Sequence, residues 1–331
     1  MSHTPDRRLL AVIVLVPVLA ALALWAFAWP AARTAPRDLP LGVAGPPAAA
    51  DRMERQLAGH EGAFEIHRYT GEAAARDAVE DRAVYGAIVI TPQGPELLTA
   101  SAAGPAVAQL LQQAVARQAA AEGTQVRTVD VVPAPQGDPR GAALTSSVLP
   151  LALAGIAAGA VVTLLGLRGP RAVAALLGAS TLVGLVAAGI AHSWLGVLTG
   201  DWWAEAAVLG LSSLAVSGAV AGLAALMGPA GIGIAGGVVM LLGNPFSGAS
   251  SAPQMLPEPA GAIGQWLPPG AGTTLVRSVS YFDGAAATGP ALTLAWWAAL
   301  GLGAVLLGGT LRSRKRAGAP AADPREATPV G

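Results

Sequence analysis

The chain has 331 residues, of which 53% are hydrophobic and 12% are charged, and its mean hydropathy is +0.54. A soluble protein carries about 25% charged residues, so this composition excludes an ordinary soluble domain and indicates a membrane protein. The 20 basic and 20 acidic residues give no net charge, and the lack of cysteine excludes disulfides, thiol catalysis and cysteine metal sites.

The chain begins with a short basic tail, residues 1–8, which we predict to be cytoplasmic. A nearly unbroken apolar run of 21 residues follows, from Leu9 to Trp29, and this is long enough to cross a hydrocarbon core of about 30 Å. A cleaved secretory signal has an apolar region of only about 7–15 residues. Trp25 and Trp29 also suit an interfacial belt. We therefore predict a retained transmembrane helix over residues 9–29, with cleavage as the alternative.

Charged residues divide the rest of the chain. Of the 40 charged side chains, 23 lie between Pro30 and Thr145, and only seven lie between Ser146 and Leu311. Residues 30–145 are therefore predicted to form an α/β domain, with enough residues for one small core. The predicted order is β-α-β-α-β-β-α-β. The strands are Asp38–Ala44, Phe64–Tyr69, Val84–Thr91 (predicted central), Glu96–Ser101 (predicted to be an edge strand) and Thr124–Val132; the helices are Ala48–Leu57, Gly71–Arg82 and Pro105–Ala121.

Five further apolar runs make residues 146–311 a predicted five-helix membrane domain. They are Val148–Leu167, Ala172–Ile190, Trp202–Met227, the shorter glycine-rich Gly231–Leu242, and Ala291–Leu311. With the first helix they give six transmembrane helices. Residues 312–331 form a basic tail that becomes rich in proline and alanine, a composition typical of disorder.

The segment Gly243–Gly284, here called the cap, is mostly apolar but contains six prolines. Each interior proline costs a helix about 3 kcal/mol, so the cap cannot be one continuous spanning helix. Irregular backbone survives at membrane depth only where it is buried in protein or lines a wet cavity. We predict a broken, partly re-entrant cap between the last two spans, on the outer side.

Basic residues in the short loops predict the orientation. Arg7 and Arg8 precede the first span, and Arg168 and Arg171 lie between the second and third. Four more follow the sixth span: Arg312, Arg314, Lys315 and Arg316. With six spans all of them lie on one side, so both termini are predicted to be cytoplasmic and residues 30–145 external. The predicted fold class is thus an α-helical polytopic membrane protein of the plasma membrane with an extracytoplasmic α/β domain inserted after the first helix.

The residues argue against several kinds of chemistry. A P-loop needs a lysine after a glycine-rich turn, and the sole lysine, Lys315, has no such turn before it, so this chain is not a P-loop ATPase. Ion-coupled carriers usually place acids or histidines inside the bundle. Here His192, Asp201 and Glu205 fall at a span edge or in an outer loop, where we interpret them as solvated. These positions therefore argue against a stand-alone proton-driven carrier.

No catalytic, cofactor or metal site is predicted, and nothing suggests nucleic acid. Gly231–Gly236 spells G-x-G-x-x-G, but it has no preceding strand and lies in an apolar run, so we interpret the match as accidental. Small residues four apart are predicted to allow close helix contact, although the Gly- and Ala-rich composition alone could produce such pairs. The pairs are Gly155/Gly159, Gly218/Gly222 and Gly233/Gly237.

The layout of one anchor, an outer α/β domain and five spans with a broken cap resembles the type-two ABC exporter permeases, in the branch with YhgE/Pip-like outer domains. Two local segments carry the resemblance. Ala73–Pro92 is similar to the outer motif of that family, in which a small charged helix leads into an apolar strand ending at proline. The cap is similar to the last extracellular segment of the family through Asn244-Pro245, Met255-Leu256-Pro257, Leu267-Pro268 and Arg277 with Tyr281–Gly284.

The resemblance implies a permease subunit that forms half of an export pathway and is not itself an enzyme. A separate cytoplasmic ABC ATPase would use the ATP, and a second permease copy or a paralogue would complete the dimer in the lipid bilayer. It also implies an outer cap or gate at Asn244, Pro245, Met255, Pro257 and Pro268, and an ATPase-docking loop at Arg168 and Arg171. The apolar interior favours a hydrophobic or amphiphilic cargo.

A second hypothesis is a non-transporting membrane scaffold or secretion accessory whose outer domain binds a partner. The family usually docks its ATPase on an N-terminal amphipathic helix and on the loop between spans two and three. In this chain that loop is only Leu167–Arg171, which favours the scaffold, whereas the cap and the span pattern favour the permease.

Overall fold

The computed structural model describes residues 7–59 and 62–317. Residues 1–6, His60 and Glu61, and the end of the predicted C-terminal tail, residues 318–331, lie outside the described residues. Within these ranges the chain forms eleven α-helices and one mixed β-sheet. The helices are α1 (Arg7–Ala32), α2 (Pro47–Ala58), α3 (Glu72–Glu80), α4 (Pro105–Glu122), α5 (Ala142–Leu164), α6 (Gly169–Ala188), α7 (Trp202–Met227), α8 (Pro229–Val238), α9 (Ala260–Trp266), α10 (Pro268–Tyr281) and α11 (Thr288–Ala317).

Residues 39–130 contain the sheet, and its elements occur in the order expected from the sequence. The strands are β1 (Leu39–Ala44), β2 (Phe64–Tyr69), β3 (Gly86–Thr91), β4 (Gly94–Thr99) and β5 (Arg127–Asp130). Their spatial order is β2-β1-β3-β4-β5. The β3–β4 pair is antiparallel, and the other three pairs are parallel. The apolar β3 is central, as predicted for a strand buried on both faces.

The prediction that the fourth strand lies at an edge is wrong. β4 pairs with β3 on one side and with β5 on the other. Leu97 and Leu98 are fully buried, one in each of the two clusters that cover the faces of the sheet. Even Glu96, at the polar start of the strand, is 8% exposed, and its carboxylate faces Arg127 of β5 at 4.0 Å.

Among the described residues, five helices are long and apolar enough to cross a membrane: Leu9–Ala32, Ala142–Leu164, Gly169–Trp194, Trp202–Met227 and Thr288–Thr310. The third of them includes a π-helical turn, Gly189–Trp194, that extends α6. The count of six spans is therefore not confirmed. The run predicted as the fifth span is a shorter apolar helix over Pro229–Gly243, made of α8 and a π-helical turn. At about 1.5 Å per residue it is roughly 22 Å long, less than the core thickness of about 30 Å.

Helix α7 is the centre of the membrane domain. In its most apolar window 72% of residues are buried, against 22–28% for α5, α6 and α11 and 6% for α1. The other helices pack around it, and α1 stands apart. This arrangement explains the lack of any amphipathic pattern in α7, because a helix surrounded by protein is apolar on every side.

Glycines bring two of the helices against α7 as predicted. A Cβ at Gly159 of α5 would lie 2.6 Å from the carbonyl oxygen of Ser217, and one at Gly222 would lie 2.7 Å from that of Gly301 in α11. The third predicted pair differs: a Cβ added at Gly233 or Gly237 of α8 would meet no other part of the described chain within 4 Å. The contact predicted for this pair is therefore not formed within the chain.

Replacing Gly184 of α6 by alanine should destabilise the bundle, because the new Cβ would lie 2.3 Å from the Ala206 carbonyl oxygen of α7. Overpacking of this kind costs about 1–3 kcal/mol. The matched control is Gly178→Ala on the same helix, where the Cβ meets nothing within 4 Å. Thermal unfolding in detergent, followed by tryptophan fluorescence, should show a lower midpoint for Gly184→Ala only. Equal midpoints for the two variants would contradict the packing described.

The last helix is longer than the apolar run predicted. α11 continues to Ala317, so the first six residues of the expected tail are helical.

Candidate functional site

The cap contains a helical hairpin that lies alongside α7. After a 3-10 turn at Pro253–Met255, α9 runs to Trp266 and α10 starts at Pro268. A Cβ at Gly272 of α10 would lie 2.8 Å from the Ser212 hydroxyl, and Gly243 packs on Pro269. Ser212 lies ten residues into α7, about 15 Å along its axis. The tip of the hairpin therefore reaches well down the bundle.

The cap's irregular stretch, residues 244–259, is held by side chains of the hairpin. Residues 246–249 are buried, and Arg277 of α10 donates hydrogen bonds to the carbonyls of Gly248 (3.3 Å) and Ala249. Gln265 of α9 donates to the Ser247 carbonyl at 3.2 Å. These bonds satisfy carbonyls that have no helical partner, which is the condition for irregular backbone away from water.

The five predicted cap residues do not form one cluster. Asn244 ends the α8 extension, its N–H donating to the Val239 carbonyl at 3.0 Å, and the half-buried Pro245 follows. Pro268 is buried in the first turn of α10, beside the contact of Pro269 with Gly243. Pro257 is buried before α9. The side chain of Met255, although part of the cap, packs against residues of the α/β domain.

Met255 fills part of the core of the α/β domain. It is 4% exposed and belongs, with Ala252, to the cluster formed by Leu39, Leu41 and Ile88. The backbone is joined at the same place: the carbonyl of Met255 accepts from the N–H of Ala35 at 3.0 Å. The cap thus completes a core that the domain's own residues leave open, and the domain and the cap are connected by buried apolar surface.

Arg168 and Arg171, the predicted docking loop, are both exposed. Arg168 precedes α6 in an extended conformation, Gly169 has a left-handed φ of 54°, and Arg171 lies in the first turn. The ends of four helices surround a recess of about 60 Å³ beside this loop, with Arg168 on its wall. Cations at a helix N-terminus oppose the macrodipole, so helix stability does not explain the two arginines.

The interpretation of Glu205 as a solvated interfacial residue is wrong. Its side chain is 0% exposed, and its carboxylate lies 2.8 Å from His192 Nδ1. The other carboxylate oxygen accepts from the Gly200 N–H at 2.8 Å. Asp201, in contrast, is exposed and caps α7 through the Ala204 N–H. His192 and Glu205 belong to different helices, so the spacing of residues within one helix does not predict that they pair.

A cavity of about 210 Å³ lies where the α/β domain meets the cap, and we call it the interdomain cavity. Its wall consists of Pro40, Arg82, Ala83, Val84, Tyr85, Ala103, Pro253, Gln254, Gln265, Thr274, Arg277 and Ala286. Arg82, with a left-handed φ of 60° after α3, reaches across to α10. There it donates to the Thr274 carbonyl at 3.0 Å and to the Ser278 hydroxyl. The guanidinium also lies over the Phe282 ring, 5.2 Å from its centroid.

Burial perturbs the charged groups of this cavity. It lowers the pKa of Arg277 to about 10, and the nearby charge of Arg82 acts in the same direction. Burial also lowers the pKa of Arg82 and raises that of Tyr85. Tyr85 therefore stays a neutral phenol, and its hydroxyl donates to Gln254 Oε1 at 2.9 Å. Removing a cation from water is costly, so both arginines need hydrogen bonds or a negative charge nearby.

No sequence pattern connects these residues. Arg82 ends the predicted helix Gly71–Arg82, Tyr85 lies in the predicted strand Val84–Thr91, and Arg277 lies in the cap. Arg277 is the sole arginine or lysine between Arg171 and Arg312, and this isolation in an apolar segment is the sequence signal that points to it.

Comparison of the chain with models of known protein families, with curated proteins and with solved structures gives no match in any of the three.

Proposed function

We propose that this chain is the permease subunit of an ATP-driven exporter of the plasma membrane. It would form half of the translocation pathway, paired with a second copy or a paralogue, and a separate cytoplasmic ABC ATPase would power it. Both termini and the α5–α6 loop would face the cytoplasm, and the α/β domain and cap would lie outside. This topology needs the shorter apolar helix Pro229–Gly243 to act as a sixth crossing beside the five long ones.

The observation that carries this proposal is the cap hairpin lying beside α7. Because α10 touches α7 as far down as Ser212 and Arg82 joins it to the α/β domain, the hairpin is in contact with both parts and is placed to couple their movements. Such a hairpin suits an element that opens and closes an outer exit. Glycines and prolines at its joints allow the backbone changes that a hinge needs.

The filled interior of the bundle supports a pathway between two chains. α7 occupies the centre of the membrane domain, so a route for a cargo would lie against an outer face. In helices α5, α6 and α11 only 22–28% of the most apolar window is buried, which leaves surfaces for lipid and for a second subunit.

The α5–α6 loop supports a cytoplasmic partner with an acidic surface. Two exposed arginines beside a small recess offer charge and shape together. Electrostatic complementarity of this kind guides docking and selects partners.

The proposal predicts a gene for a soluble P-loop ATPase next to the gene for this chain, and coexpression with that ATPase tests it. We expect the ATPase to copurify and its turnover to rise in the complex. Arg168→Glu with Arg171→Glu should weaken this association about tenfold or more, since like charges placed across an interface cost several kcal/mol. The matched control is Arg52→Glu with Arg55→Glu, two exposed arginines of α2, which should leave association unchanged.

An ATPase that neither copurifies nor is stimulated under any condition would refute the permease proposal. If the detergent-solubilised chain then retains an external protein through its α/β domain, the scaffold hypothesis replaces it.

A further inference from the structure

The interdomain cavity holds two positive charges and no negative one. Arg82 and Arg277 are both on its wall, and its twelve lining residues include no aspartate or glutamate. Within the described residues neither arginine forms an ion pair with a carboxylate. Lone cations are rarely buried without a counter-charge, and here two face one cavity.

Hydrogen bonds inside the chain use only part of the two guanidinium groups. Arg277 is 4% exposed, and its two terminal nitrogens bind the Gly248 and Ala249 carbonyls. Its Nε–H is buried without any partner in the described chain. Arg82 uses one terminal nitrogen for Thr274 and Ser278. A structural role in holding the cap therefore explains the bonded donors but not the unpaired Nε–H, whose desolvation costs about 1–3 kcal/mol or more.

The remaining polar groups of the wall are suited to an oxyanion. The Tyr85 hydroxyl engages Gln254 through Oε1, which leaves the amide nitrogen of Gln254 with donors to offer. Guanidinium groups recognise phosphate and carboxylate through paired N–H donors. The volume, about 210 Å³, exceeds by several fold the roughly 30 Å³ of a water molecule and is smaller than typical drug-sized pockets of about 300–1,000 Å³.

Part of the cavity wall adjoins a helix that is long and apolar enough to cross a membrane. Gln265 on the wall is followed by Trp266, which is 74% exposed. Trp297 of α11 donates its indole N–H to the Trp266 carbonyl at 2.8 Å. A lipid beside α11 is therefore a second source of an anionic group, besides the solution.

We propose that the interdomain cavity binds a phosphate group, as free phosphate or as the head of an anionic phospholipid, between Arg82 and Arg277. The bound anion would neutralise the two cations and join the α/β domain to the cap. A chain with no transport role would bind the same group, so this inference is independent of the proposed function.

The test uses the full chain in nanodiscs of phosphatidylcholine, titrated with inorganic phosphate or with chloride at equal ionic strength. In a second arm phosphatidylglycerol replaces part of the phosphatidylcholine, and native mass spectrometry counts the lipid that stays bound. We expect phosphate to raise the thermal midpoint above chloride, or phosphatidylglycerol to be retained in preference to phosphatidylcholine. The arm that responds identifies the source of the phosphate group.

Arg82→Gln is the decisive variant, because Arg82 is half-buried and its loss leaves the two Arg277 bonds to the cap in place. Affinity should fall about tenfold or more, the effect of losing a charge-assisted hydrogen bond. Arg76→Gln on the neighbouring α3 is the matched control and should bind as the wild type does. The proposal is overturned if the wild type responds to neither phosphate nor phosphatidylglycerol, or if Arg76→Gln weakens binding as much as Arg82→Gln.

Discussion

Replacing Met255 by alanine is expected to loosen the cap from the α/β domain, at a cost of about 2–5 kcal/mol. Met255 is 4% exposed and packs in the same cluster as Leu39 and Leu41. The cavity left by alanine would lie in the middle of that core. Because the core is shared by two parts of the chain, the loss should appear both in overall stability and in the contact between them.

Hydrogen exchange gives a direct measurement of this contact. The N–H groups of Ala35 and Arg37 donate to the carbonyls of Met255 and Gln254 at 3.0 and 2.9 Å, so both amides should exchange faster in Met255→Ala. The control is Ile263→Ala in α9, where the side chain is 41% exposed and the cost should be within about 0.5 kcal/mol. Unchanged exchange at Ala35 and Arg37 in Met255→Ala would show that the cap does not complete this core.

Replacing Glu205 by alanine should destabilise the helical bundle by about 1–3 kcal/mol, because it removes a buried carboxylate that satisfies two hydrogen-bonding groups. The substitution leaves the Gly200 N–H and the His192 ring without the carboxylate that both contact at 2.8 Å. Glu205→Gln keeps an acceptor and supplies an amide donor in nearly the same volume. The loss of stability in Glu205→Gln should therefore be less than half of that in Glu205→Ala.

Unfolding of the purified chain in detergent separates these variants. The expected order of stability is wild type, Glu205→Gln, Glu205→Ala. Glu80→Ala, at an exposed position at the end of α3, serves as the control for removing an acidic side chain and should match the wild type. A Glu205→Ala protein as stable as the Glu80→Ala protein would mean that the pair with His192 contributes nothing to folding.

Features that depend on neighbouring residues were readable from the sequence. All five long apolar helices coincide with predicted apolar runs, and most of their ends lie within a few residues of the predicted ends. The alternation of FEIHRY predicted β2 at the bounds it has, Phe64–Tyr69. The six prolines of the cap excluded a continuous helix there. These outcomes follow because helix length, strand alternation and proline chemistry act over a few residues.

Contacts between distant parts of the chain were decided by the tertiary structure. The Arg37 side chain meets the Met255 carbonyl across 218 positions of sequence, and Arg82 meets Thr274 across 192. No periodicity links such residues, so the sequence alone does not show that they meet. Packing then assigned Met255 to the α/β core, paired Glu205 with His192, and left two arginines facing one cavity, because burial depends on which surfaces meet in space.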